Sequence, residues 1–139
     1  MSFLLDTNAV SESRKPRPDE RFLEWLTRQE ASDLHVSVLT VGELRRGVLA
    51  LDPGRKRAEL ARWVDYALGG FQGRVLPVGE DIASLWARLW DENQRAGRKV
   101  GVVDELIAAT ALAHDLTLVT RNTRHFEHSG CRLLSPWAS

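Results

Sequence analysis

Three carboxylates, Asp6, Glu43 and Asp104, fall where the sequence pattern passes from one secondary structure to the next, each beside small or hydroxyl-bearing residues. Acids scattered along a chain but placed at element ends are the raw material of an oxygen-lined pocket for a hard divalent cation. Brought together, they make the centre of a metal-dependent phosphodiester-cleaving enzyme; left apart, they are helix caps. Each has a local explanation of the second kind. Asp6-Thr7-Asn8 can open an Asx turn, with Thr7 and Asn8 donating to neighbours or to phosphate. Thr40-x-x-Glu43 matches a capping box, in which the glutamate reaches back to the cap's own backbone N–H. Asp104 is a good N-cap type, but the residue three positions on is Ile107, not an acid or amide.

Two details favour chemistry over capping. Gly42 and Gly47 flank Glu43 although each costs up to ~1 kcal/mol in a helix relative to alanine, which implies close approach of backbone or ligand on that face. The Asp104-Glu105 pair opens a helix whose Ile107, Ala108 and Ala111 read as closely packed, and a buried carboxylate needs partners or a cation. A fourth polar group follows a strand, Thr120-Arg121-Asn122, with His125 just beyond. Arg121 suits a phosphate or the balancing of acids, and His125 suits a substrate contact; a solvated loop with Asn122 capping a single turn is the plainer alternative. Basic residues recur beside these segments: Arg14, Lys15 and Arg17; Arg45 and Arg46; Arg98 and Lys99; Arg121 and Arg124. A positive rim round an acidic pit suits a polyanion.

These residues need elements to carry them. Phe3-Leu4-Leu5 is a short apolar run stopped by Asp-Thr-Asn, the pattern of a buried strand ending in a loop. Phe22, Trp25 and Leu26 share a helical face after Pro16 and Pro18. Leu34, Val36 and Val38 alternate with polar residues in a second strand. Helices are predicted after Thr40, from about Arg55 to Leu68, through Ile82, Leu85, Trp86, Leu89 and Trp90 to Gly97, and from Val102 to His114. Further strands are predicted at 74–78, 116–120 and 131–134. Alternating strands and helices predict an α/β three-layer sandwich: a mostly parallel sheet of about five strands, with helices on both faces. Ligands bind such sheets beyond the strands' carboxyl ends, where the strand order reverses. With strand one central and strands two and four beside it, Asp6, Glu43 and Asn122 converge, and Asp104 joins them from a helix start.

The 139 residues fit one domain, 1–139, with no repeat or linker composition. Nineteen basic and nineteen acidic residues cancel, so there is no overall positive field for binding nucleic acid by charge alone. No apolar run approaches the ~20 residues that span a bilayer. The single cysteine, Cys131, cannot form an internal disulfide and suits a reducing cytoplasm, as buried filler in the last strand. Trp86 and Trp90, at i and i+4, read as core or as an oligomer contact. A phospho-receiver domain, which also carries acids at strand ends, is excluded: strand three ends in Pro77-Val78, and no lysine follows Lys99.

Taken together, Phe3-Leu4-Leu5-Asp6-Thr7-Asn8 with Ser11-Glu12, Ser37 to Gly47, Asp104 to Ala111, Leu116 to Asn122 and Ser135-Pro136-Trp137 resemble the PIN domain. Within it they are most similar to the VapC-type toxins of bacterial toxin–antitoxin pairs, in the FitB-like branch. The resemblance spans essentially the whole chain, in the family's order. It implies a metal-dependent endoribonuclease held inactive by a cognate VapB-like antitoxin. It also implies a homodimer, a larger hetero-oligomer with antitoxin, and DNA contact only through that partner. Asp6, Glu43 and Asp104 would hold Mg²⁺ or Mn²⁺, with Asn122 completing the catalytic set. Thr7, Asn8, Thr120, Arg121 and His125 would line the substrate. The chain departs from the family pattern after the fourth strand, where Asn122 and His125 stand in place of a fourth acid, and at Glu105, which replaces a small residue and is expected to compensate in part. That departure motivates a second expectation: a catalytically impaired PIN-like protein acting through protein or nucleic-acid binding.

Overall fold

The computed structural model describes residues 1–138. Five short strands form one sheet: β1 (Phe3–Leu5), β2 (Leu34–Ser37), β3 (Val75–Leu76), β4 (Thr117–Val119) and β5 (Leu133–Leu134). Their order is β3-β2-β1-β4-β5, and every pairing is parallel. β1 is therefore central, and the strand order reverses beside it. Six α-helices intervene: α1 (Thr7–Ser11), α2 (Glu20–Thr27), α3 (Val38–Leu49), α4 (Arg55–Gly69), α5 (Glu80–Ala96) and α6 (Val102–Ala113). A 3-10 helix, Thr123–Ser129, follows β4.

The two faces of the sheet explain the apolar pattern, because successive side chains of a strand point to opposite sides. Phe3, Leu5, Val36 and Val119 face one way and pack with Phe22 of α2, Leu44 and Val48 of α3 and Val64 of α4. Leu4 and Leu118 face the other way, onto Ile107, Ala108 and Ala111 of α6 and Phe126. On its far side α6 presents Ala109 to Ile82 and Leu89 of α5. Buried on two sides, α6 needs alanines, whose small side chains let sheet and helix approach at once. Gly97 ends α5 in a left-handed conformation, φ 70°, which glycine adopts without steric cost.

Several boundaries differ from expectation for identifiable reasons. β2 stops at Ser37, whose Oγ accepts the Leu39 N–H at 3.0 Å, so α3 begins at Val38. The capping box built on Thr40 does not exist: Thr40 is buried, and Glu43 lies inside α3 rather than at its start. The cap of α6 is Gly101, which places Asp104 within the first turn. β3 and β5 are only two residues each, so Cys131, expected within the last strand as buried filler, instead precedes β5 and is half-buried, with Sγ 3.0 Å from Ser129 Oγ. Burial pushes the Cys131 thiol up from its ordinary value. Gly42 and Gly47 are exposed, and among the described residues a Cβ at either would meet nothing within 4 Å beyond its own helix. None of the described helices is long and apolar enough to cross a membrane.

The two ends of the chain meet at Glu12. Its buried carboxylate accepts the Trp137 indole N–H (2.7 Å), the Asp19 backbone N–H (3.0 Å) and the Lys15 ammonium (3.0 Å). Trp137 also stacks on Phe22, ring centroids 4.4 Å apart. Burial alone would raise the Glu12 carboxyl, but these three donors together hold it below the ordinary glutamate value.

Candidate active site

The site is assembled at the carboxyl ends of the two central strands. β1 ends at Leu5, and Asp6 follows, its N–H donating to the Val119 carbonyl at the end of β4 (3.2 Å). Asp6 is buried and caps α1: its Oδ1 accepts the Ala9 N–H at 2.8 Å. Burial raises its carboxyl above the ordinary aspartate value. The Ala9 N–H and the Thr120 hydroxyl pull it back down, while the charges of Asp104 and Glu43 push it up further. Those two repulsions agree with the contact by which Thr7, the neighbour of Asp6, bonds Glu43. Residues 37 and 98 positions downstream of Asp6 stand near enough to act on its protonation.

Glu43 reaches the same end of the sheet from α3, where Thr7 Oγ1 donates to Glu43 Oε1 at 2.5 Å. Thr7 Oγ1 also lies 3.3 Å from Thr40 Oγ1, so the first turn of α1 is tied to α3 through two hydroxyls. Asp104 comes from the first turn of α6. Its side chain is half exposed, and His125 Nε2 lies 3.1 Å from its Oδ2. The buried member of the Asp104-Glu105 pair is Glu105, not Asp104.

Glu105 does not compensate for a missing fourth acid. It turns away from Asp6 and is fully buried between α5 and the 3-10 helix, where Asn93 Nδ2 donates to it and His128 Nε2 lies 3.2 Å from both of its oxygens. Thr120 is buried beside Asp6, and its Oγ1 accepts the Asn122 N–H at 3.3 Å. Asn122 begins the 3-10 helix without a side-chain cap bond and is exposed, as are Arg121 and Asn8. His125 is spent on Asp104 rather than free. The structure thus clusters Asp6, Thr7, Glu43, Asp104, Thr120 and His125, and leaves Asn8, Arg121 and Asn122 on the rim.

The three acids are close in charge without forming a closed cage. Among the described residues, no three His, Cys, Asp or Glu side chains stand together as a metal-binding group. Each carboxylate has a partner of its own: Ala9 N–H for Asp6, Thr7 for Glu43, His125 for Asp104. The donor chemistry nevertheless fits a hard divalent cation. It is all carboxylate and hydroxyl oxygen, and the buried Asp6 carries repulsion from two further acids that a cation would reverse.

Sequence reasoning missed two polar centres. Glu12 and its partner Trp137 figure in the sequence only as parts of the family pattern, and the Ser-Arg-Lys that follows Glu12 gives no local sign of its burial. Asn93 gave none either: an asparagine among Asp, Glu and Gln late in an amphipathic helix looks solvated, yet it is buried.

An all-parallel sheet with helices between its strands and acids at its reversal point is an α/β architecture with its candidate site where ligands bind such sheets. The PIN domain model matches residues 3–130. The chain is 38% identical to the toxin FitB of Neisseria gonorrhoeae over 135 residues, covering 96% of this chain and 97% of that protein. It is 37% identical to the VapC ribonuclease Y4jK of Sinorhizobium fredii, covering 96% of each. The solved structure of FitAB bound to an IR36 DNA fragment superposes with a TM-score of 0.91 at 36% identity, over 99% of this chain and 96% of that one. The chain belongs to the PIN-domain family, in the branch that holds FitB and the VapC-type proteins.

Proposed function

We propose that this chain is the toxin component of a type II toxin–antitoxin pair, an endoribonuclease that hydrolyses RNA phosphodiester bonds with a divalent cation, Mg²⁺ or Mn²⁺. The observation that carries the reading is the buried Asp6 carboxylate beside Asp104 and Glu43 at the sheet's reversal point. Asp6, Glu43 and Asp104 are the groups that would hold the cation. When bound, it supplies Lewis acidity toward the phosphate and a positive charge against the negative charge that builds there.

The chain's own residues do the rest. Thr7 fixes the Glu43 carboxylate by a short hydrogen bond, and Thr120 fixes Asp6. His125 orients Asp104 and faces the substrate side. Asn122, Arg121 and Asn8 lie exposed at the rim, where an RNA strand would contact them. Likeness to FitB and Y4jK supports toxin and ribonuclease activity, and likeness to FitAB on DNA supports DNA contact through a VapB-like antitoxin; the homodimer is carried over from the PIN-family resemblance alone.

The test is cleavage of RNA by the purified chain in Mn²⁺, with and without EDTA, beside Asp104→Ala. Cation-dependent cleavage lost in the variant is expected. Undiminished cleavage by a well-folded Asp104→Ala protein refutes the assignment. Asn122 in place of a fourth acid favours the second reading, an impaired PIN-like chain that acts by binding; wild-type protein without any cation-dependent turnover would establish it.

A further inference from the structure

The loop joining α5 to α6 and the 3-10 helix after β4 are far apart in sequence but line one open cavity of about 340 Å³, walled by Arg98, Lys99, Arg124, His125, Glu127 and His128. The cavity adjoins the acid cluster, because His125, on its wall, is the residue that contacts Asp104. Its cations are exposed and, among the described residues, form no ion pair. Three helix-face arginines, Arg28, Arg88 and Arg95, are each matched with an acid one turn away, and the cavity cations differ from these three in keeping their charge unpaired. Glu127 is the single carboxylate on the wall, against three permanent cations.

Arg98 is also held in place from behind. Its Nε donates to Asn93 Oδ1 at 3.0 Å, Asn93 Nδ2 donates to Glu105, and Glu105 pairs with His128. Asn93 and Glu105 are buried, at 1% and 0% exposure. A buried acid and amide kept by the fold need a full set of partners, and here the set ends in a guanidinium at the cavity. Among the described residues the Nη groups of Arg98 have no acceptor. A guanidinium fixed through Nε and open at Nη presents the fork that suits phosphate oxygens.

We infer that this cavity is a groove for the RNA backbone flanking the scissile bond, with Arg98, Lys99 and Arg124 as phosphate contacts and the Asn93–Glu105–His128 network as the frame that presets Arg98. The inference rests on the ribonuclease reading and adds the path of the substrate across the surface. It makes each groove cation one unit of salt-dependent binding: neutralising a phosphate releases counterions, and each contact contributes about −0.7 to the slope of log K against log salt for single strands.

The experiment measures equilibrium binding of a fluorescein-labelled, single-stranded oligouridylate to the full chain in EDTA, by anisotropy across a salt series. Arg98→Gln, Lys99→Gln and Arg124→Gln are each expected to weaken binding severalfold and to flatten the slope by about 0.7. Arg98→Lys, which keeps the charge, should retain the slope. Lys99 is exposed, so its variant folds whatever becomes of the network behind Arg98. Unchanged slopes in all three glutamine variants overturn the groove, as does wild-type protein that binds no RNA. Variants that keep the slope but lose affinity for a protein partner would assign the cations to an acidic peptide instead, and also overturn it. Cleavage by wild-type protein in Mn²⁺, run in parallel, separates the two levels: cleavage with unchanged slopes defeats the groove alone, whereas binding with altered slopes but no cleavage defeats the nuclease reading alone.

Discussion

Thr7 and Glu43 are joined by a hydrogen bond of 2.5 Å although they lie on different helices, α1 and α3, and Thr7 sits directly after Asp6. One hydroxyl thus couples the turn that presents the first acid to the helix that carries the second.

Replacing Thr7 by valine, nearly the same size, removes that coupling without emptying space. The lost bond to a charged group costs about 1.5–3 kcal/mol at most. Cleavage is expected to fall by at least tenfold, with the melting temperature lowered by no more than roughly 10 °C, and Thr7→Ser should restore both. Rates and thermal melts of the three proteins check it; a Thr7→Val protein as active as wild type removes Thr7 from the site.

Asp6→Asn should keep the α1 cap, since asparagine caps as well as aspartate, while removing a charge that burial and two neighbouring acids disfavour. The variant is therefore expected to melt at or above the wild-type temperature in EDTA at neutral pH, yet to be inactive. A cation at one hundred times its Kd stabilises by about 2.7 kcal/mol, roughly 10 °C for a domain of this size. That shift should appear in wild type and vanish in Asp6→Asn, as read by differential scanning fluorimetry with and without Mn²⁺.

Asn122→Asp places a fourth carboxylate at the start of the 3-10 helix, where Asn122 is exposed and uncapped. Tighter cation binding and faster cleavage at limiting Mn²⁺ are expected, each by severalfold. A calorimetric titration that shows no gain would place residue 122 outside the reach of the cation.

Glu12 contributes to the acid sensitivity of the fold. Its folded carboxyl lies below the ordinary value, so its contribution is fully present above the unfolded pKa and is lost as pH falls through the depressed folded one. Glu12→Gln should destabilise the protein by about 1–3 kcal/mol near neutrality, with the difference from wild type shrinking in acid. Denaturant unfolding at neutral and acid pH measures both.

The strand–helix alternation was legible because the apolar period determines it, whereas the central place of β1 and the meeting of Asp6, Glu43 and Asp104 entered only as a condition, since element order along the chain does not settle strand order across a sheet. Side-chain direction was less legible. Ser37 and Thr40 are both hydroxyl residues near a helix start, and only the burial of Thr40 decides that Ser37 is the cap. Asp104 and Glu105 are adjacent acids with opposite fates. What separates them is Asn93 on α5 and His128 beyond β4, partners that local periodicity does not reveal.

The central position of β1 has a temporal meaning. During synthesis β1 must wait for β4, residues 117–119, to fill its second edge, and Asp6 must wait for Asp104 and Thr120. If the chain cuts RNA as proposed, its site is incomplete through most of synthesis and closes only once β4 has paired with β1. An inhibitor already present would then meet that site as it first forms.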